Sequence, residues 1–280
     1  MSHVINKNLY DLNQINFAVI IRSIGERTEQ LCYDACSNII SKKRIHIIKN
    51  YFPSYKTFDK MFQIVIKNNY HWYLALDSDL ILKPGWPYNV IEVLSNQNYH
   101  DYYAFSFAVK DKFFGRIDRG NHFFNGKYAV ESRRILNKKT KYFPKPETSI
   151  KLFLKGEIKR KHFSTKCIGF HGFEQYRKHI YYRFWNRRRR GLSDYYKNIF
   201  LSDCYKLKDI NYDYKAALLG WEGFNKKERF KQKILPRTGA KKIKFFNKID
   251  LNLLNNNIPE KSKLILSYKD FIDKNYKFSS

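Results

Sequence analysis

The chain has 280 residues, 43% of them hydrophobic, enough for one sizeable α/β domain plus an appendage with a globular core. Its 54 Lys and Arg against 25 Asp and Glu give a formal charge of +29, which speaks to partners (a polyanion, an anionic membrane surface, a phosphorylated substrate) rather than to fold. No window approaches the roughly 18 apolar residues of a bilayer span, Met1–Asn16 lacks the apolar stretch of a secretory signal, and Cys32, Cys36, Cys167 and Cys204 form no CxxC pair, so a cytosolic protein with reduced structural thiols is expected.

Phe17–Ile21 is an apolar, β-rich run that ends at Arg22-Ser23. Helical character follows from about Glu26 to Ile40, with Leu31, Ala35 and Ile39 four residues apart. Ile45–Ile48 reads as a second strand. Tyr55–Asn68 carries Phe58, Met61, Phe62, Val65 and Ile66 at the spacing of a helix facing a core, and Trp72–Leu76 reads as a third strand. This alternation predicts a mostly parallel sheet with helices packed on it. Pro84, Gly85 and Pro87 break the chain. A helix at Tyr88–Leu94 and a strand at Tyr102–Val109 follow, then a strand pair or loop at His122–Val130 around Asn125-Gly126. Ser149–Leu154 reads as a helix after Pro144-Lys145-Pro146-Glu147. Beyond Gly172 the chain turns basic and aromatic, with helical stretches. The expected division is therefore 1–175 as an α/β domain and 176–280 as a basic, largely helical extension.

The third strand runs into Asp77-Ser78-Asp79. Two ionised carboxylates at the edge of a core are costly unless a cation lies between them. At the carboxyl end of a strand, where α/β sheets bind ligands, that cation is expected to be a divalent metal holding a diphosphate. Asp79 is the expected direct ligand, with Asp77 nearer the ribose or sugar. The competing reading is a turn that uses Asp as a cap. Arg22 and Arg27 lie in the turn after the first strand, where Arg can grip a diphosphate bidentately. Glu26 in the same turn either reaches the nucleotide or caps the following helix.

In chain order, the turn Ile21–Arg27, the Asp77-Ser78-Asp79 motif, Glu147 ahead of Lys155-Gly156, and His171-Gly172 followed by Phe173-Glu174-Gln175 resemble the GT-A-fold glycosyltransferases, in the broad neighbourhood of the family 2 enzymes. The resemblance covers roughly Phe17–Gln175, which implies that 1–175 is the nucleotide-sugar-binding and catalytic domain and leaves 176–280 for acceptor or membrane-surface contacts. It departs from that family in lacking an acidic residue over Ile45–Phe52 and in carrying Glu147-Thr148 where Glu-Asp is common. The resemblance implies a GT-A (Rossmann-like) sheet and an Mn²⁺ or Mg²⁺ ion held by Asp79, Asp77 and His171. It implies donor contacts from Arg22, Glu26, Arg27, Asp77 and Ser78, and Glu147 as the base of an inverting transfer, with Glu157 and Glu131 in reserve. His122 is a further candidate for the acceptor pocket.

Arg177, Lys178, Arg183 and Arg187–Arg190 are interleaved with Tyr176, Tyr181, Tyr182, Phe184 and Trp185. That pattern suits an anionic membrane surface and, less well, single-stranded nucleic acid. The expected activity is transfer of a sugar from a nucleotide donor, UDP-linked by family preference, to a hydroxyl of a cell-surface glycan or lipid-linked saccharide precursor. The enzyme would be peripheral at the inner face of a bacterial membrane. The alternative is a basic nucleic-acid-binding protein without enzymatic activity, for which the sequence shows no zinc, RRM or KH signature. A nucleotidyltransferase is a third reading, and Ser23-Ile24-Gly25 is too sparse for its Gly-rich phosphate loop. Nothing in the sequence sets the oligomeric state.

Overall fold

The alternating apolar segments become one central sheet in the computed structural model of the chain, which describes residues 15–50, 54–96, 100–118, 121–140, 150–154, 159–224, 254, 258–262, 264 and 266–276. The first half follows the expected order: β1 (Phe17–Ser23), α1 (Glu29–Ser37), β2 (Ile45–Lys49), α2 (Ser54–Asn68) and β3 (Trp72–Asp77). Then come β4 (Leu80–Leu82), α3 (Trp86–Leu94), β5 (Ala104–Asp111), β6 (Gly115–Asp118), β7 (Asn121–Asn125), α4 (Ala129–Ile135) and β8 (Arg160–His171). Four helices complete the described chain: α5 (Arg177–Arg190), α6 (Asp194–Leu207), α7 (Tyr212–Glu222) and α8 (Tyr268–Tyr276).

The strands lie in the order β2-β1-β3-β7-β5-β8-β4, with β6 on β5. The α/β class expected from the sequence stands. Parallel pairing is confined to β2–β1–β3 and to β5–β8, and β7 enters antiparallel to both β3 and β5, so the sheet is mixed. The β5–β7 ladder covers only Ala104↔Phe124 and Phe105↔Phe123. The buried Asn121 side chain extends it, its Oδ1 accepting from the Phe107 N–H at 2.8 Å and its Nδ2 donating to the Phe107 carbonyl at 3.0 Å. A side-chain amide thus satisfies backbone groups that would otherwise be buried unpaired.

Side chains alternate across β1 and β3, so each of these strands feeds two cores. Phe17, Val19, Ile21, Trp72, Leu74 and Leu76 face α1 and α3, whereas Ala18, Ile20, Tyr73 and Ala75 face Phe58, Met61, Phe62 and Val65 of α2. The first of these cores runs on through α5–α8: Phe184, Phe200, Trp221 and Phe271 belong to it, and Phe184 stacks on Phe200 at 4.2 Å between ring centroids. Pro87 sits in the first turn of α3 behind Gly85 (φ 78°), so the Pro/Gly cluster opens a helix rather than only breaking the chain. Of the segment expected to be a helix at Ser149–Leu154, Ile150–Leu152 form a single 3₁₀ turn, and Ser149 lies outside the described residues.

Candidate active site

Strand register assembles the site. In the parallel β1–β3 pair Arg22 lies opposite Asp77. In the antiparallel β4–β8 pair Leu80 lies opposite His171, and in the parallel β5–β8 pair Asp111 lies opposite His171. The turn Asp77-Ser78-Asp79 therefore joins two strand ends and has Arg22 on one side and His171 on the other.

Ser78 anchors this turn. It is fully buried; its hydroxyl donates to Glu26 Oε2 at 2.7 Å, its N–H donates to the Arg22 carbonyl at 3.1 Å, and its carbonyl accepts from Thr28 Oγ1 at 2.8 Å. The Gln175 amide nitrogen, also buried, donates to that Thr28 oxygen at 2.8 Å. With the serine turned inward, its two neighbours keep partly exposed carboxylates, 44% for the Asp77 side chain and 26% for Asp79. Protein still crowds Asp77: desolvation, reinforced by the Asp79 charge, raises its pKa against the pull of Arg22. The Arg22 Nη2–Asp77 Oδ1 distance is 2.7 Å, and the guanidinium carbon lies 5.0 Å from the centre of the Phe58 ring.

Glu26, expected at the donor, has its Oε2 turned into the protein, where it accepts from Ser78 Oγ, Ser23 Oγ (3.0 Å) and the Ile24 N–H (2.7 Å). Burial raises its pKa, and the Ser78 hydrogen bond works against that rise. Its observed contacts tie the β1 turn to the Asp77–Asp79 turn, and the hydroxyl of Ser78 is committed to the same bond. Arg27 is likewise engaged. Only 9% exposed, it donates from Nη1 to the Glu174 carboxylate at 2.9 Å and from Nε to the Ser262 carbonyl at 2.7 Å. It therefore clamps the returning C-terminal segment to the turn.

On the other side, His171 Nε2 lies 3.4 Å from Asp79 Oδ2, and His171 Nδ1 lies 2.6 Å from Asp111 Oδ2. Asp111 is buried and also receives the Phe113 and Phe114 N–H groups on Oδ1 (2.8 and 3.1 Å) and Arg183 Nη2 on Oδ2. Burial alone would raise the Asp111 pKa; the Arg183 charge and the His171 bond overcome this and hold the carboxyl far below the usual range. Burial alone would lower the His171 pKa, and the Asp79 and Asp111 carboxylates raise it instead. Asp111 and the role of Arg183 were not anticipated from the sequence. The available signal was an acidic residue closing an apolar strand, as Asp77 closes β3.

Among the described residues no three His, Cys, Asp or Glu side chains converge to form a protein-built metal cage. Asp79 and His171 nonetheless make a fitting pair of donors. Two ligands at about 2.1 Å, at right angles on one octahedral ion, stand about 3 Å apart, close to the 3.4 Å observed.

Glu147 and Glu157 lie outside the described residues. Glu131 sits on the surface of α4, paired with Arg134. His122 lies on β7 opposite Ala75, its ring centroid 5.9 Å from that of Phe124. Three of the five aromatic members of the basic run, Tyr181, Phe184 and Trp185, are buried in the core, whereas Tyr176 and Tyr182 are half-buried. Arg177 donates its backbone N–H to Glu260 at 2.7 Å, and Arg188 donates to the Trp221 carbonyl at 2.7 Å. The four cysteines are free, and Cys32, Cys36 and Cys204 are buried. No helix among the described residues is long and apolar enough to cross a membrane.

Searched against protein-family models and against curated proteins, the sequence matches none. Among solved structures it is similar to a glycosyltransferase involved in the glycosylation of the major capsid of PBCV-1, at 11% identity and a TM-score of 0.38, over 56% of this chain and 94% of that one. It is also similar to 4-diphosphocytidyl-2C-methyl-D-erythritol synthase from Anaerococcus prevotii, at 11% identity and a TM-score of 0.37, over 52% of this chain and 88% of that one. Likenesses this distant leave the chemistry to be read from the side chains themselves.

Proposed function

We propose that this chain is a metal-dependent glycosyltransferase that takes a sugar from a nucleotide-sugar donor, UDP-linked by preference, and places it on a hydroxyl of a glycan or lipid-linked saccharide. The observation that carries this reading is the approach of Asp79 Oδ2 and His171 Nε2 to 3.4 Å beside the Arg22–Asp77 pair. Carboxylate, imidazole and guanidinium meet at strand ends, where α/β sheets receive nucleotides.

Asp79 and His171 would hold Mn²⁺ or Mg²⁺, which when bound supplies charge stabilisation for the departing nucleoside diphosphate. Arg22 offers its Nη groups to a diphosphate oxygen, and Asp77 orients Arg22 and faces the ribose or sugar. Ser78 and Glu26 keep the turn fixed so that both carboxylates stay in place. Glu147 is assigned as the base: the acceptor oxygen attacks the anomeric carbon, its proton passes to the Glu147 carboxylate, and the bond from that carbon to the diphosphate oxygen breaks. The leaving group keeps the electron pair, and the anomeric configuration inverts. The +29 charge is assigned to holding the protein at an anionic membrane surface on the cytoplasmic side. Nucleic-acid binding is the weaker reading, because the sequence carries no zinc, RRM or KH signature.

Thermal melts with UDP, with and without Mn²⁺, test the proposal. UDP is expected to raise the midpoint only when Mn²⁺ is present, Asp79→Asn to abolish that rise, and Glu147→Gln to keep it while losing turnover. Absence of a metal-dependent rise with every nucleoside diphosphate would overturn the proposal.

A further inference from the structure

The bond network behind His171 is more elaborate than a structural histidine requires. The imidazole lies between two carboxylates at the end of β8, and only one of them is exposed. Asp111 on the inner side has no exposed side-chain surface. Its other partners are all donors: the Phe113 and Phe114 N–H groups on Oδ1 and Arg183 on Oδ2. With three donors already on its two oxygens, Asp111 meets the ring nitrogen at 2.6 Å as an acceptor, so that nitrogen is assigned the proton. That leaves Nε2 as the nitrogen aimed at Asp79.

Arg183 comes from α5, 72 residues away. Its guanidinium lies over the rings of Phe113, Phe114 and Phe184 at 5.5–5.6 Å, and this aromatic pocket fixes its direction. Gly172 makes the approach possible. Its φ is +77°, and a Cβ there would stand 2.4 Å from Arg183 Nη1. The glycine after His171 is thus needed to let the arginine reach Asp111.

We propose that Asp111, held by Arg183, is a positioning residue that fixes His171 with its proton on Nδ1 and its Nε2 lone pair directed at the ion-binding side of Asp79. This rests on reading Asp79 and His171 as the ion-binding pair. It gives the basic helix α5 a role at the site, since α5 supplies the guanidinium that holds Asp111 behind the histidine. Partners of this kind, behind a ligating histidine, change metal affinity by about 10–100-fold when lost.

Asp111→Asn is the direct probe. An amide can still accept the two backbone N–H groups, but its NH₂ then faces His171 Nδ1, favouring the tautomer with the proton on Nε2. Mn²⁺ titrated in the presence of UDP is expected to bind the variant about 10–100-fold more weakly than the wild type. Long-range ¹H–¹⁵N spectra, with His171 assigned by comparison with His171→Asn, should show its proton moving from Nδ1 to Nε2. A merely structural contact would leave the Mn²⁺ affinity of the folded variant unchanged while the tautomer exchanged.

Should Asp111→Asn fail to fold, the wild type still decides. With Mg²⁺ and UDP bound, His171 must carry its proton on Nδ1, and a proton on Nε2 overturns the proposal. A folded Asp111→Asn that binds Mn²⁺ as tightly as wild type also overturns it, and leaves the ion-binding reading of Asp79 standing. A wild type with no metal-dependent UDP binding overturns both.

Discussion

The two sides of the Asp77-Ser78-Asp79 turn are built on different principles. On the β2–β1–β3 side, parallel strands place Arg22 directly opposite Asp77, and the pair is made by neighbours in the sheet alone. On the β5–β8–β4 side, Asp79 meets His171 through an antiparallel pair, and His171 is steadied by Asp111, which is steadied in turn by Arg183 from α5. The first side is a local construction. The second depends on α5, so a site at this turn draws on the helices beyond the sheet as well as on the strands. Ser78, buried between them, is where the two constructions are joined.

The comparison can be broken most severely from the C-terminal side. Phe184→Ala removes the ring that stacks on Phe200 and lies under Arg183; unfolding in urea should show a loss of about 3–5 kcal/mol. Metal-dependent UDP binding should weaken along with it. A smaller effect is expected at the join. Ser78→Ala deletes a buried hydrogen bond to the Glu26 carboxylate and should cost about 1.5–3 kcal/mol in the same urea experiment.

Arg22→Gln strikes only the parallel side. UDP affinity measured by calorimetry should fall about tenfold, roughly 1.4 kcal/mol, while Mn²⁺ affinity without nucleotide is unchanged. Equal losses of both would mean that the two sides are not separable. The mildest test is pH. Asp213 on α7 is buried, and the charges of Lys112 and Lys261 overcome its desolvation and lower its pKa. A lowered folded pKa contributes stability that is fully present above the unfolded value of about 3.9 and is lost as pH falls through the folded one. Urea midpoints should therefore decline below about pH 4, and Asp213→Asn should flatten that decline.

Much of the parallel side was legible from residue spacing. The apolar runs at Phe17–Ile21, Ile45–Ile48 and Trp72–Leu76 and the helical period of Tyr55–Asn68 reappear as β1, β2, β3 and α2, because strands and helices buried on a face show it in their periodicity. The carboxylates of the turn were legible for the same reason, as charge where burial predicts none. The other side was much less visible. β8 begins Arg160-Lys161-His162, with the lysine and histidine exposed, and only its last four residues are buried throughout, so its first half carries little strand signal. Asp111 and Arg183 are 72 residues apart and Arg27 and Ser262 are 235 apart. Contacts of that range are set by how helices return over the sheet, which no local pattern encodes. The same return buries Tyr181, Phe184 and Trp185 of α5, which, read as sequence, suggested a free interfacial surface.

Mn²⁺ titrated calorimetrically into the wild type, Asp79→Asn and His171→Asn, each with saturating UDP and each checked for an unchanged melting profile without ligands, tests the central claim most directly. The account predicts one Mn²⁺ site in the wild type and its loss in both variants. A wild type that binds no Mn²⁺, or variants that bind it as the wild type does, would contradict it.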